Sequence, residues 1–86
     1  MTPTITIEIL TKKECSLCDA VKETVGRVIR DYPARMMLTD IESDPQLFAQ
    51  YKEKIPVVKI NGEEQFVYKV KEQVLRKKLD LLVNSA

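Results

Sequence analysis

The 86-residue chain has no histidine and no tryptophan, only two cysteines and two glycines, and no large excess of charge of either sign. Each shortage excludes something. A closed zinc or iron–sulfur site wants about four Cys or His ligands, so two cysteines without histidine would need a second chain or outside ligands to complete one. Two cysteines are also too few for a secreted disulfide scaffold, and two glycines with four prolines are not the composition of a disordered chain. Fourteen basic residues against thirteen acidic ones leave a net charge of +1. No strong field therefore draws the protein to nucleic acid or to an anionic membrane surface. No apolar run approaches the ~18 residues of a membrane-spanning helix. The opening MTPTITIEIL has neither a basic leader nor a small-residue cleavage site. The expected compartment is a reducing cytosol, where a close cysteine pair is more often catalytic or metal-binding than a permanent staple.

What is present is ordinary globular material, 44% hydrophobic and 31% charged. A chain this short has surface to bury for one core only, so residues 1–86 are expected to form one domain, with a monomer the simplest assumption. Residues 4–10 (TITIEIL) alternate Ile5, Ile7 and Ile9 with Thr4, Thr6 and Glu8, the period of a strand. From Ser16 the period changes. Leu17, Ala20, Val21, Thr24, Val25, Val28 and Ile29 make one helical face, closed near Pro33 because the residue before proline avoids the helical region. Residues 34–41 (ARMMLTDI), with Met36 and Leu38 on one side, read as a second strand. Ser43-Asp44-Pro45 offers a capping oxygen followed by proline at the first helical position, and Leu47, Phe48 and Tyr51 form the inward face of a short helix. IPVVKI (55–60) and EEQFVYKV (63–70) are strands joined by Asn61-Gly62, a hairpin turn in which both residues need positive φ. Residues 71–83 close the domain as a helix with Val74, Leu75, Leu79 and Leu82 on one face. The order βαβαββα, without repeat or linker, implies an α/β fold: a central four-stranded mixed sheet flanked by helices.

The cysteines stand in TKKECSLCD (11–19), at the junction of first strand and first helix. Residues three apart on a helical turn have Cα atoms roughly 5–6 Å apart, within disulfide range. Cys15 falls at the helix start, where unpaired N–H groups and the positive end of the dipole favour a thiolate. Thiols so placed drop from about 8.5 into the range ~3.5–7.5. Lys12 and Lys13 add a screened contribution, and Glu14 opposes it. Cys18, one turn inside, is expected to be more buried. The division of labour that follows is attack by Cys15 on a disulfide and resolution by Cys18. The alternatives are inert buried cysteines, which are common, or ligands of a metal shared between two chains. Met36 and Met37 read as strand packing, since nothing nearby completes a copper site. Lys69, Lys71, Arg76, Lys77 and Lys78 read as a solvated face, and Tyr51 and Tyr68 carry no role beyond partial burial.

With strand, C-x-x-C, helix and the later Ile55-Pro56-Val57 in place, the chain resembles the glutaredoxin-like branch of the thioredoxin fold over nearly its whole length. The matching residues are Lys12, Cys15, Cys18, Asp19, Ala20 and the Ile55-Pro56-Val57 segment. The resemblance implies a thiol–disulfide oxidoreductase with Cys15 as nucleophile, Cys18 as resolving thiol and no metal or prosthetic group. It implies a cis Pro56 facing the dithiol and an Ile55 whose backbone holds the substrate. Lys12, Ser16 and Leu17 complete the expected substrate surface. The partners implied are a disulfide-containing protein or small thiol, and a thiol or reductase as electron donor. Glutathione is disfavoured, because Phe66-Val67-Tyr68-Lys69 stands where glutaredoxins carry a glycine pair and an acid that receives the γ-glutamyl end. The reading from another class is a thioredoxin-fold binding or adaptor module with non-catalytic cysteines.

Overall fold

The structure is a computed structural model and describes residues 4–84. Residues 1–3, part of the stretch read for a leader, and 85–86 lie outside it. The elements are β1 (Ile5–Thr11), α1 (Ser16–Val28), β2 (Ala34–Asp40), α2 (Pro45–Tyr51), β3 (Val57–Ile60), β4 (Glu63–Val67) and α3 (Glu72–Asn84), with short 3₁₀ turns at Ile29–Asp31 and Ile41–Ser43. The strands form one mixed sheet in the order β2-β1-β3-β4. β1 runs parallel to β2 and antiparallel to β3, which is antiparallel to β4.

The alternation of β1 sends its isoleucines to one face. Ile5, Ile7 and Ile9 join Val58 and Ile60 of β3, Val21, Val25 and Val28 of α1, and Leu75 and Leu79 of α3 in the main core. Each such side chain, fully buried, contributes about 1.5–3 kcal/mol. Leu10 and Val57, on the opposite face, enter a smaller cluster with Ile41, Tyr51, Ile55 and Cys18. This second cluster sits where β1 ends and β3 begins, next to the cysteines.

Each helix buries a narrower stripe than the sequence pattern predicts. α1 buries Cys18, Val21, Val25 and Val28, while Leu17 is 52% exposed. α3 buries Leu75 and Leu79 with Val83 packed against them, a strict four-residue line. Val74 and Leu82, about 100° away around the axis, are turned outward. In α2 the line runs through Leu47 and Tyr51, and Phe48 lies off it, exposed. On β2, Met36 packs on the core but Leu38 is exposed, because an edge strand has one open flank. β4 stops at Val67, three residues short of the predicted end, because Tyr68 takes φ +72° and turns the chain. The Asn61-Gly62 turn has the expected positive φ at both residues, +51° and +88°.

Candidate active site

Cys15 ends the loop after β1 and caps α1. Its backbone is extended (φ −125°, ψ 103°), and its Sγ accepts the Cys18 N–H at 3.1 Å. The Asp19 N–H donates to the Cys15 carbonyl, also at 3.1 Å, as the first helical bond. The sulfur thus occupies the place where a serine or aspartate oxygen usually satisfies an orphan amide. Negative charge there meets an N–H and the positive end of the helix. Cys18, one turn in, is fully buried, whereas Cys15 remains partly exposed. The two Cα atoms are 5.2 Å apart and the sulfurs are joined in a disulfide.

Two tertiary contacts shape the approach to Cys15. Glu14 has φ +53°, a left-handed conformation that a residue with a Cβ adopts only when its surroundings hold it there. Just before it, a contact comes from the 3₁₀ turn after β2: the Lys13 N–H donates to Glu42 Oε1 at 3.2 Å. Glu42 is itself positioned by its N–H on Asp40 Oδ1 at 2.8 Å, and Ser43 Oγ donates to the Asp40 carbonyl at 2.6 Å. Ile41 of the same turn is buried in the cluster that holds Cys18.

On the other side lies the Ile55-Pro56 peptide, which is cis. Ile55 packs in the Cys18 cluster, with Cys15 against it. Pro56 is fully buried, and its carbonyl accepts the Tyr68 N–H at 2.8 Å. The structure therefore gathers Cys15, Cys18, Ile55 and Pro56 at one end of the sheet. Ser16 and Leu17 are exposed on the first turn of α1, and Lys12 is exposed on the preceding loop. In the same cluster Tyr51 donates its hydroxyl to Glu64 Oε1 at 2.8 Å. That carboxylate first, and then burial, push the phenol above its usual pKa, against a smaller opposing effect of the Lys59 ammonium.

Two residues given no role from sequence enter the site. Glu42 reaches it across 29 positions of chain, which no local pattern reveals. Tyr68 borders a groove of about 80 Å³ whose other wall is the α1 stripe from Leu17 to Thr24. Among the described residues, no group of three or more Cys, Asp or Glu side chains converges as a metal site.

A family model described as a glutaredoxin-like domain (DUF836) matches residues 6–80. The chain belongs to the glutaredoxin-like family. An uncharacterised protein of Mycobacterium tuberculosis is 29% identical to it over 75 residues, which is 81% of this chain and 77% of that protein. The fold recurs in the solution structure of a protein from Nitrosomonas europaea, with a TM-score of 0.78 and 15% identity over 92% of this chain and 95% of that one. It recurs in a structural-genomics target protein from X. campestris (TM-score 0.72, 24% identity, 87% and 96% of the chains). A thioredoxin of Halobacterium salinarum also shares it (TM-score 0.69, 14% identity, 92% and 74%). The glutaredoxin-like chain thus has the thioredoxin fold, with a C-x-x-C pair at disulfide distance where the first strand meets the first helix. Among its described residues, no helix is long and apolar enough to cross a membrane.

Proposed function

We propose that this protein is a thiol–disulfide oxidoreductase working through Cys15 and Cys18. The observation that carries the reading is Cys15 Sγ at the cap of α1, accepting the Cys18 N–H, with Cys18 buried behind it. In the reduced protein a Cys15 thiolate attacks one sulfur of a substrate disulfide. That S–S bond breaks, a Cys15–substrate disulfide forms, and the other substrate thiolate leaves. Cys18 then loses its proton to solvent and attacks Cys15 Sγ, which releases the second substrate thiolate and closes Cys15–Cys18. The substrate gains two electrons and the dithiol loses two. A thiol or a reductase returns them from outside, and no metal or prosthetic group takes part. Lys12, Ser16 and Leu17, exposed around Cys15, form the contact surface for the substrate. Ile55 offers its backbone and the buried Pro56 shapes the chain behind it, and the reducing cytosol is the compartment in which such a dithiol stays available.

The test is the pH dependence of alkylation of the reduced protein, with mass spectrometry locating the label. The expected result is that Cys15 reacts first, with a midpoint well below that of a free thiol. Cys15→Ser is expected to abolish disulfide exchange, and Cys18→Ser to accumulate mixed disulfides. If both thiols react alike near the free-thiol value and Cys15→Ser retains exchange, the cysteines are not catalytic and the adaptor reading replaces this one.

A further inference from the structure

The groove beside the dithiol opens at Leu17, a residue inside the C-x-x-C itself, and follows α1 through Ala20 and Val21 to Thr24. From Leu17 to Thr24 the helix rises ~10 Å. An extended chain advances about 3.3 Å per residue. A peptide with its cysteine at Cys15 would therefore lay the next two or three side chains along this groove. With about 80 Å³ of space, it has room for one of them.

The opposite wall is segment 68–70, and its construction is unusual. Tyr68 holds φ +72°, where glycine is the favoured residue. The conformation is kept by two bonds: the Tyr68 N–H on the Pro56 carbonyl at 2.8 Å, and its hydroxyl on the Glu53 carbonyl at 2.7 Å. A glycine would give the backbone turn without strain, but no wall. The tyrosine ring, 47% exposed, stands across from Leu17, 52% exposed. Lys69 is the single charged residue lining the groove, and its ammonium is in no ion pair among the described residues. No carboxylate lines it.

We propose that this groove is a peptide subsite that selects substrates with an apolar residue and a carboxylate close to the reacting cysteine. The inference rests on the thiol-exchange reading and adds the substrate class. Apolar contact with Leu17, Val21 and the Tyr68 ring seats one side chain, and Lys69 attracts the acid that follows. A basic residue in the same place meets an uncompensated cation.

The probes are short synthetic peptides, each with one cysteine held as a mixed disulfide with thionitrobenzoate. Two residues beyond the cysteine carry either Leu-Glu, Leu-Lys or Gly-Glu. The protein is reduced with dithiothreitol, which is then removed, and single-turnover release of coloured thionitrobenzoate is followed. Cys15 attacks the peptide sulfur, because thionitrobenzoate is the better leaving group. Cys18 then closes the disulfide and frees the peptide thiol. Leu-Glu is expected to react about fivefold faster than Leu-Lys at low salt, and the ratio should shrink as salt is added. Leu-Glu should also outpace Gly-Glu. Lys69→Glu should invert the Glu/Lys order, and Tyr68→Gly should erase the Leu/Gly difference. The thionitrobenzoate mixed disulfide of glutathione should react more slowly than Leu-Glu. Equal rates for all peptides in the wild type, no inversion in Lys69→Glu, or glutathione fastest would overturn the subsite while leaving exchange intact. Unchanged release by Cys15→Ser would instead overturn the exchange reading beneath it.

Discussion

At the Asn61-Gly62 end of the sheet, positive φ falls on the two residue types that tolerate it, whereas at the dithiol end it falls on Glu14 (φ +53°) and Tyr68 (φ +72°). The first end solves a folding problem with suitable residues. A two-residue turn joins Ile60 to Glu63, and Asn61 is also tied to β1, its N–H on the Thr6 carbonyl at 2.9 Å and its Oδ1 accepting the Thr6 N–H at 3.0 Å. At the second end, residues with unfavourable backbone have long-range contacts on or beside them: Glu42 on Lys13, next to Glu14, and Pro56 and Glu53 on Tyr68. Strain that persists only because the surroundings over-determine it gathers at working sites. Here it flanks Cys15 on one side and the groove on the other.

The largest effect that would sharpen this contrast is at the turn. A Cβ at Gly62 would meet nothing within 4 Å, yet its φ is +88°, so the cost of Gly62→Ala is backbone conformation alone. It should lower unfolding free energy by about 1–2 kcal/mol in urea and leave Cys15 alkylation as in the wild type. A shifted alkylation profile would show that the two ends are coupled. At the dithiol end, Glu42→Ala removes the acceptor of the Lys13 N–H, and Glu42→Gln keeps an acceptor while removing the charge. Because the bond is exposed, Ala should cost only about 0.5–1 kcal/mol. It should also change the Cys15 alkylation rate, and Gln should restore most of the difference in rate. If Ala alters stability but not alkylation, Glu42 supports the fold without positioning Cys15.

The smallest effect is expected where α1 and α3 meet. Arg27 and Arg76 both bond Glu72, at 2.9 and 3.1 Å. The Arg27 bond first, then that of Arg76, holds the Glu72 carboxyl below its usual pKa. A carboxylate depressed in the folded state adds stability above its unfolded pKa and loses it as pH falls through the folded value. The difference in Tm between the wild type and Glu72→Gln should therefore be present at neutral pH and disappear once acidification has passed through the lowered folded value. Cys15 alkylation should be the same in both. A Tm difference that persists in acid would assign the effect of Glu72 to packing.

The strands, the hairpin turn and the place of the cysteines were legible because each is written locally: the alternation of Ile5, Ile7 and Ile9, the pair Asn61-Gly62, and C-x-x-C at a change of period. The apolar faces were read too wide. Val74, Leu82, Phe48 and Leu17 fit a helical pattern, but a helix on a sheet buries one line of side chains and leaves the adjacent rows at the rim. The cis Pro56 came from resemblance alone, since nothing local marks one X-Pro bond as cis. Glu42 and Tyr68 were illegible for a related reason. One acts across the fold through a side-chain bond, and the other through a backbone conformation that its residue type disfavours.

By itself the sequence determined the order of elements, the apolar face of β1 and the position of a cysteine pair at the start of α1, because these follow from periodicity and from the chemistry of residues near one another in the chain. Only the tertiary structure decided that Glu42 reaches the loop before Cys15, what holds Tyr68 in left-handed backbone, and that Leu17, Tyr68 and Lys69 line one groove. Those properties depend on segments from opposite ends of the chain meeting at a single end of the sheet, and no local pattern encodes that meeting.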